Sequence, residues 1–439
     1  MNNSSPDHWS AAARLVRRTG FGATGAAVDG AVSAGADKYL AGLLAADPEV
    51  DAGARATPPP EFAPLPRLGK DADSAAKKAR NSRIRQQLQQ LAGWWLRRMS
   101  AVEAPFGEKL TFCWHHHFAT SATKVHDAPW LLAQNQKLRS LGRGDFRPLA
   151  LAMLSDAALL DWLDGQKNTA GAPNENLARE FLELFSLGRQ GGYTEQDVRE
   201  GARALTGRRI EPDGSTAVRP KLHDDDSKTF LGGTGNLGEI GFCDAILTRP
   251  ASAAHLVARM YGQFVSDNPP SPAAIQAAVR GYGTGRSISG MLSALLGSAE
   301  FTAAAGSKIV GPVEWLLGAV RSLAIPIPDQ AAAMKMLATL RGLGQIPFYP
   351  PSVAGWPSGS AWLSTGAADL RMTSAAALVK KADLDSVRSS APAGRVEAAR
   401  YLLGVPAWGS RTAAVLRDSV SNPEQLITVA LNSPEYLTQ

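Results

Sequence analysis

The densest ionisable chemistry in the sequence lies between Lys109 and Lys228, in three segments. The first is Lys109-Leu110-Thr111-Phe112-Cys113-Trp114-His115-His116-His117-Phe118, which holds three of the chain's seven histidines. Imidazole is the commonest protein ligand for transition metals and titrates near neutrality. On a helix, side chains one and two residues apart point about 100° and 200° round the axis. His115 and His117 can therefore share a metal only if the helix ends here, an ending that Thr120, Ser121 and Thr123 suggest. The competing reading is histidines hydrogen-bonded in a polar interior, with no ligand.

The second segment is Asn174-Glu175-Asn176-Leu177-Ala178-Arg179-Glu180-Phe181-Leu182-Glu183-Leu184-Phe185, preceded by Pro173. Asn174 suits an N-cap, so the helix start is well marked. Leu177, Ala178, Phe181, Leu184 and Phe185 form one apolar face; Asn176, Arg179, Glu180 and Glu183 gather opposite. Glu175 and Arg179 stand at the i,i+4 spacing of a helical ion pair. Such a face is ordinarily solvated, yet two carboxylates one turn apart beside an arginine also suit acid–base work or metal ligation. The third segment, His223-Asp224-Asp225-Asp226-Ser227-Lys228, puts an imidazole, three carboxylates and an ammonium in six residues of a loop. It lacks the glycine turn and closing glutamate of an EF-hand, and a solvated acidic loop is the plain alternative. A fourth stretch, Gly344–Pro357, is rich in proline and aromatics; it either lines a pocket with Trp356 or caps a helical lobe by packing, and packing is the favoured reading.

The elements that position these groups read as helices. An all-α, multi-helix, two-lobed protein is expected, with long irregular loops and at most a short β-hairpin. At 439 residues the chain exceeds one ordinary core. The expected division is 1–47 as N-terminal helices, 48–72 as a proline-rich linker, 73–248 as a central lobe carrying the polar site, and 249–439 as a C-terminal lobe. Pro58, Pro59, Pro60, Pro64 and Pro66 exclude a helix in their stretch. From Ser74 a long helix is predicted, with Leu88, Leu91, Trp95 and Met99 as its stripe. Further helices are predicted near 106–120, 129–141, 146–163, 174–187, 194–206, 250–266, 271–280, 285–297, 310–323 and 330–341. Three more follow a loop at 346–363, and 208–248 reads as an extended loop.

Composition excludes several classes. Hydrophobic residues make 44% and charged residues 20%, which is globular rather than disordered. The formal charge is 46 − 40 = +6, too dilute for a strong nucleic-acid signal. Lys77, Lys78, Arg80, Arg83 and Arg85 read as a solvated helix face. Cys113 and Cys243 fit no zinc or disulfide spacing and read as two buried thiols. No stretch reaches the roughly 18 uninterrupted apolar residues of a membrane span. The start, Met1-Asn2-Asn3-Ser4-Ser5, shows no basic segment leading into an apolar one, so a cytoplasmic protein is expected. No P-loop, dinucleotide fingerprint, G-x-S-x-G elbow or H-E-x-x-H motif is present.

Several short motifs follow one another along the chain. They are Trp94-Trp95-Leu96-Arg97-Arg98-Met99, Glu108-Lys109-Leu110-Thr111, the Trp-His-x-His-Phe core at 114–118, Pro173-Asn174-Glu175-Asn176 with Ala178-Arg179-Glu180, and Glu183-Leu184-Phe185. Tyr193-Thr194-Glu195, Ala204-Leu205-Thr206-Gly207, His223-Asp224, Lys228–Gly232 and Pro350-Pro351…Gly355-Trp356-Pro357 complete the series. In these motifs the chain resembles a family of uncharacterised bacterial proteins, the domain of unknown function 1800, from Arg14 nearly to the C-terminus. The resemblance implies no defined activity. Members are often exported and frequently accompany a second family similar to sulfatases, which implies a partner of that kind; the absence of a leader departs from the exported pattern. His116 occupies the variable position of its motif, and Arg208 stands where the family commonly has tryptophan. The family's polar positions coincide with His115, His117, Asn174, Asn176, Arg179, Glu180, Glu183, His223, Asp224 and Lys228.

Two functions from different classes follow. One is a metal-assisted or acid–base hydrolase: a divalent transition metal is the candidate cofactor, held by His115, His117 and His223. Glu180 or Glu183 would be the general base with Arg179 beside it, and Asn174, Asn176, Asp224, Lys228 and Trp356 would bind substrate. The other is a non-catalytic scaffold or binding protein whose motif residues form a buried polar network. The first requires the imidazoles and carboxylates to converge in one concave site.

Overall fold

Asp73 accepts the Ala76 N–H through its side chain and starts a 28-residue helix, Ser74–Ala101. Its second half buries Leu88, Leu91, Trp95, Leu96 and Met99, as the three-to-four spacing requires. Its basic first half leaves Lys77, Lys78, Arg83 and Arg85 exposed, as a solvated face. The structure, a computed structural model, describes residues 6–65, 68–69 and 71–439. Pro66 and the opening segment 1–5 lie outside the described residues.

The described residues form an all-α architecture, with 24 α-helices and only two small antiparallel two-stranded sheets. No described helix is long and apolar enough to cross a membrane. Both cysteines are free and buried. Two large apolar cores organise the chain. One gathers residues mainly between Phe106 and Ala304; the other joins the Ser74–Ala101 helix to the segment Val310–Tyr436. The segment expected as a C-terminal lobe therefore contributes to both cores.

Between the cores runs the helix Phe106–His117, buried on every face except at Gly107. An all-round buried helix needs its polar side chains satisfied internally. Glu108 does this at the first turn. Its carboxylate accepts from Trp95 Nε1 at 2.8 Å, Arg98 Nε at 2.6 Å, and Arg139 Nε and Nη2 at 2.7 and 2.9 Å. Burial pushes its pKa up, but Arg139 and Arg98 outweigh that and hold it below the usual carboxylate value. The histidine helix is thereby pinned to the long helix and to Ala128–Leu141.

Four departures from the sequence expectation have local causes. The predicted helix 146–163 breaks into Phe146–Leu154 and Ala157–Trp162, because Asp156 caps the second piece by accepting the Leu159 N–H. The loop 208–248 ends in a helix, Glu239–Leu247, which starts without a side-chain cap and is held by buried Phe242, Cys243, Ile246 and Leu247. The same loop forms two hairpins, not one: Arg208–Ile210 with Thr216–Val218, and Lys228–Phe230 with Gly233–Gly235. Beyond the Pro/Trp loop come more than three helices, principally Thr365–Val379, Arg395–Leu402, Ser410–Arg417 and Pro423–Ala430.

Candidate functional site

The helix carrying the three histidines continues through His117, with the Phe118 N–H still donating to the Trp114 carbonyl at 2.8 Å. The side chains therefore fan out as helical geometry dictates. His115 lies in one core, edge-on to Trp95 and Trp356 at ring separations of 5.3 and 5.4 Å. Its Nε2 accepts the Phe348 N–H at 3.0 Å. His117 lies in the other core against Trp114, Phe118 and Phe185. His116 points between them, stacked on Trp356, and its Nδ1 accepts the Trp356 N–H at 3.3 Å. Burial pushes His115 and His116 down to about 3 and His117 well below the usual imidazole value, so all three rings are neutral near pH 7.

His117 meets the second segment. The helix Asn176–Glu180 runs into a π-helical turn, Phe181–Ser186, a feature that places carbonyls off the regular ladder and recurs at functional positions. His117 Nε2 lies 3.0 Å from the Phe185 carbonyl and His255 Nε2 2.8 Å from that of Leu184. Each ring thus donates a proton to the end of the π turn. His117 Nδ1 is left buried without a hydrogen-bond partner. The extra residue per turn also shifts the apolar face: Leu182 is fully buried, while the expected Leu184 is only half-buried.

On the outer side Asn174 accepts the Asn176 N–H at 3.0 Å and acts as the expected cap. Arg179 pairs with Glu175 at 2.9 Å, approaches Glu183 at 3.5 Å, and engages both oxygens of Glu195 at 2.9 and 2.7 Å. Asn176 itself is exposed. Glu183 lies 3.6 Å from Arg189 as well. Glu180 is half-buried, and burial together with Glu183 raises its pKa.

The third segment is folded into the first two hairpins' surroundings by paired charges. Arg203, on the helix Glu195–Ala204, grips Asp224 through Nε at 2.7 Å and Nη2 at 3.2 Å, and Glu200 at 2.9 Å. Lys228 is fully buried. Its ammonium donates to the Asp224 carbonyl, the Asp226 carbonyl at 2.9 Å and Asn236 Oδ1 at 3.3 Å, which uses all three protons. His223 Nδ1 donates to the Thr206 carbonyl at 2.9 Å. Arg208 ties its hairpin to Glu239 at 2.6 Å and bonds Thr216 on the facing strand at 3.0 Å, which accounts locally for an arginine at this position.

The structure thus does not bring His115, His117 and His223 together as one ligand set. The first two belong to different cores and the third to a surface loop with its own backbone partner. Among the described residues no three His, Cys, Asp or Glu side chains are grouped so as to hold a metal ion. Trp356 is buried, stacks on Phe112 at 5.5 Å, and also lines a cavity with His116 and Arg259. Arg259, His255 and Arg203 were not singled out in the sequence, and Glu108 only as part of a motif. Single charged residues on amphipathic helices carry no local signal beyond their position on the helix.

A family model described as a protein of unknown function (DUF1800) matches residues 14–438. The chain belongs to that family, over nearly its whole length. No curated protein and no solved structure matches it.

Proposed function

We propose that this member of the DUF1800 family is a helical binding or scaffold protein whose motif residues act as an internal polar network. The observation that carries this reading is the saturation of Lys228, whose three protons each go to an acceptor of its own loop. The same holds for its neighbours: Asp224 is gripped by Arg203, Arg179 by three carboxylates, and His115 and His117 each by a backbone group. With all three of its protons used, Lys228 has none free for a ligand, and withdrawing it leaves those acceptors without a donor. The network joins the histidine helix to the π turn, the helix Asn176–Glu180 through Arg179 to Glu195–Ala204, and that last helix to the hairpin loop.

Elemental analysis and thermal melting together test this. The reading expects His115→Ala and Lys228→Met to lower the melting temperature, with no metal above background in the purified wild-type protein. Stoichiometric metal in the wild type that is absent from a His115→Ala/His117→Ala variant would overturn it and restore the metal-assisted hydrolase.

Acid–base chemistry keeps one specific support, Glu180. Among the polar motif side chains it alone combines partial burial with a raised carboxyl pKa, and Glu183 lies one turn away. A Glu180→Gln variant that melts at or above the wild-type temperature favours a functional carboxylate, because such a group is held at a cost to stability. A clear fall in melting temperature assigns Glu180 to the network instead.

A further inference from the structure

A second feature stands apart from the network. Where the C-terminal end of the helix Pro250–Phe264 faces the Pro/Trp loop, a cavity of ≈ 300 Å³ opens between Arg259, His116, Asn268 and Trp356. Its inner end shares His116 and Gln263 with a smaller recess of ≈ 30 Å³ that reaches Lys308 and Glu314. Pro269, Pro270 and Pro357 line the larger cavity with apolar surface.

The charges round this space are unequal. Glu314 is neutralised by the Lys109 ammonium, which donates to it. Asp267, the carboxylate on the cavity wall, accepts the Ile309 N–H at 2.7 Å and lies 3.6 Å from Lys308. Lys308 also donates to the Gly262 carbonyl at 2.9 Å. Arg259 has no such partner among the described residues: burial alone lowers its pKa from the ordinary arginine value, with no carboxylate acting to raise it. A partly buried guanidinium without a counter-ion is costly, and an anionic ligand would complete it.

A second donor, on His116, belongs to the same wall, and an unpaired indole N–H lies buried behind it. His116 is 8% exposed. Because its Nδ1 accepts the Trp356 N–H, the proton of the neutral ring sits on Nε2, which is left as a donor. Trp356 is 4% exposed, and its indole N–H is buried with no hydrogen-bond partner. A native interior rarely leaves such a group unpaired.

We propose that this cavity binds a small organic anion, a carboxylate or phosphate monoester, whose charged group is held by Arg259 and the His116 Nε2–H while its apolar body lies against Pro269, Pro357 and Trp356. This deepens the binding reading by naming a ligand class. It draws on none of the contacts of Lys228 or Arg179, so its failure leaves the network intact.

Isothermal titration of the full chain with benzoate, phenyl phosphate and inorganic phosphate tests it, with Arg259→Gln and Arg259→Lys measured beside the wild type. At least one of the two organic anions should bind, more tightly than inorganic phosphate. Arg259→Gln should weaken that binding by roughly tenfold or more, the loss expected for a charged hydrogen bond, with Arg259→Lys in between. Without ligand, Arg259→Gln should melt at or above the wild-type temperature, since the substitution removes an uncompensated charge. The proposal is overturned if neither organic anion binds, or if Arg259→Gln binds as the wild type does. A marked fall in the melting temperature of ligand-free Arg259→Gln also overturns it, because the guanidinium would then be a structural group. Equal affinity for inorganic phosphate overturns the assignment to an organic anion.

Discussion

Mild acid should destabilise this protein through its buried imidazoles. His115 and His116 are held neutral in the fold, pushed down to about 3 by burial, whereas in the unfolded chain an imidazole titrates at about 6.5. Below that value the unfolded state binds more protons than the native one, so stability falls as pH falls. The stabilising contribution is complete above about pH 6.5 and is lost progressively toward about pH 3. At pH 5 the unfolded chain is about 1.5 pH units into this window. At about 1.36 kcal/mol per unit, each ring then accounts for about 2 kcal/mol and the pair for about 4 kcal/mol. His117, lowered in the same direction, adds to the effect. The assay is urea unfolding at pH 7 and pH 5 of wild type and of His115→Gln, whose amide oxygen can still accept the Phe348 N–H. His115→Gln should cost stability at pH 7, and the gap to wild type should narrow by about 2 kcal/mol at pH 5, because one titrating ring has gone. Identical pH 7-to-5 losses in the two proteins would refute the placement of His115 as a buried neutral ring.

Other substitutions separate structural charges from surface ones. Glu108→Gln should destabilise by up to roughly 3–5 kcal/mol, as the buried Arg98 and Arg139 are left with the exposed Glu49 as their only carboxylate among the described residues; urea unfolding measures it. Arg179→Ala should cost under about 1 kcal/mol in the same assay, because its pairs are partly solvated and screened. Lys228→Met should leave the Asp224 and Asp226 carbonyls without a donor and open the hairpin loop, so limited proteolysis should cut near 224–236 sooner than in wild type. Gly355 has φ +90°, and a Cβ there would lie 2.6 Å from the His116 carbonyl oxygen. Gly355→Ala should therefore cost at least about 1–3 kcal/mol, read as a lower melting temperature.

How much of this was legible in the sequence depended on whether local geometry or distant partners decided the outcome. The Glu175–Arg179 pair and the Asn174 cap follow from spacing alone, and both stand in the fold. So does the stripe of Ser74–Ala101. The π turn at Phe181–Ser186 does not follow, because its carbonyls are satisfied by His117 and His255, 68 and 71 residues away from their partners. The histidine triplet shows a narrower miss. Thr120 and Ser121 do signal a helix end, but the helix already closes its last hydrogen bond at Phe118. By then His115 and His117 have been turned into separate cores. Arg259 was invisible for a different reason: only the fold shows that no carboxylate faces it.

The Gly355-Trp356-Pro357 motif links the network to the cavity. Glycine at 355 lets the loop backbone press against the His116 carbonyl, an approach that a side chain would block. That approach carries the Trp356 N–H onto His116 Nδ1 and so fixes which ring nitrogen bears the proton. On the other side of the same helix, His117 holds the π turn in place. On the proposed reading, His115, His117, Gly355 and Trp356 thus have a common consequence. They lock the orientation of one buried helix, and one exit from that helix is the His116 edge beside Arg259. His116 is the one of the three histidines that lines the cavity, so the lock and the cavity meet at this ring. His116→Ala should therefore lower the melting temperature, by taking the acceptor from the Trp356 N–H, and also weaken anion binding by removing a cavity donor, which thermal melting and anion titration read out separately.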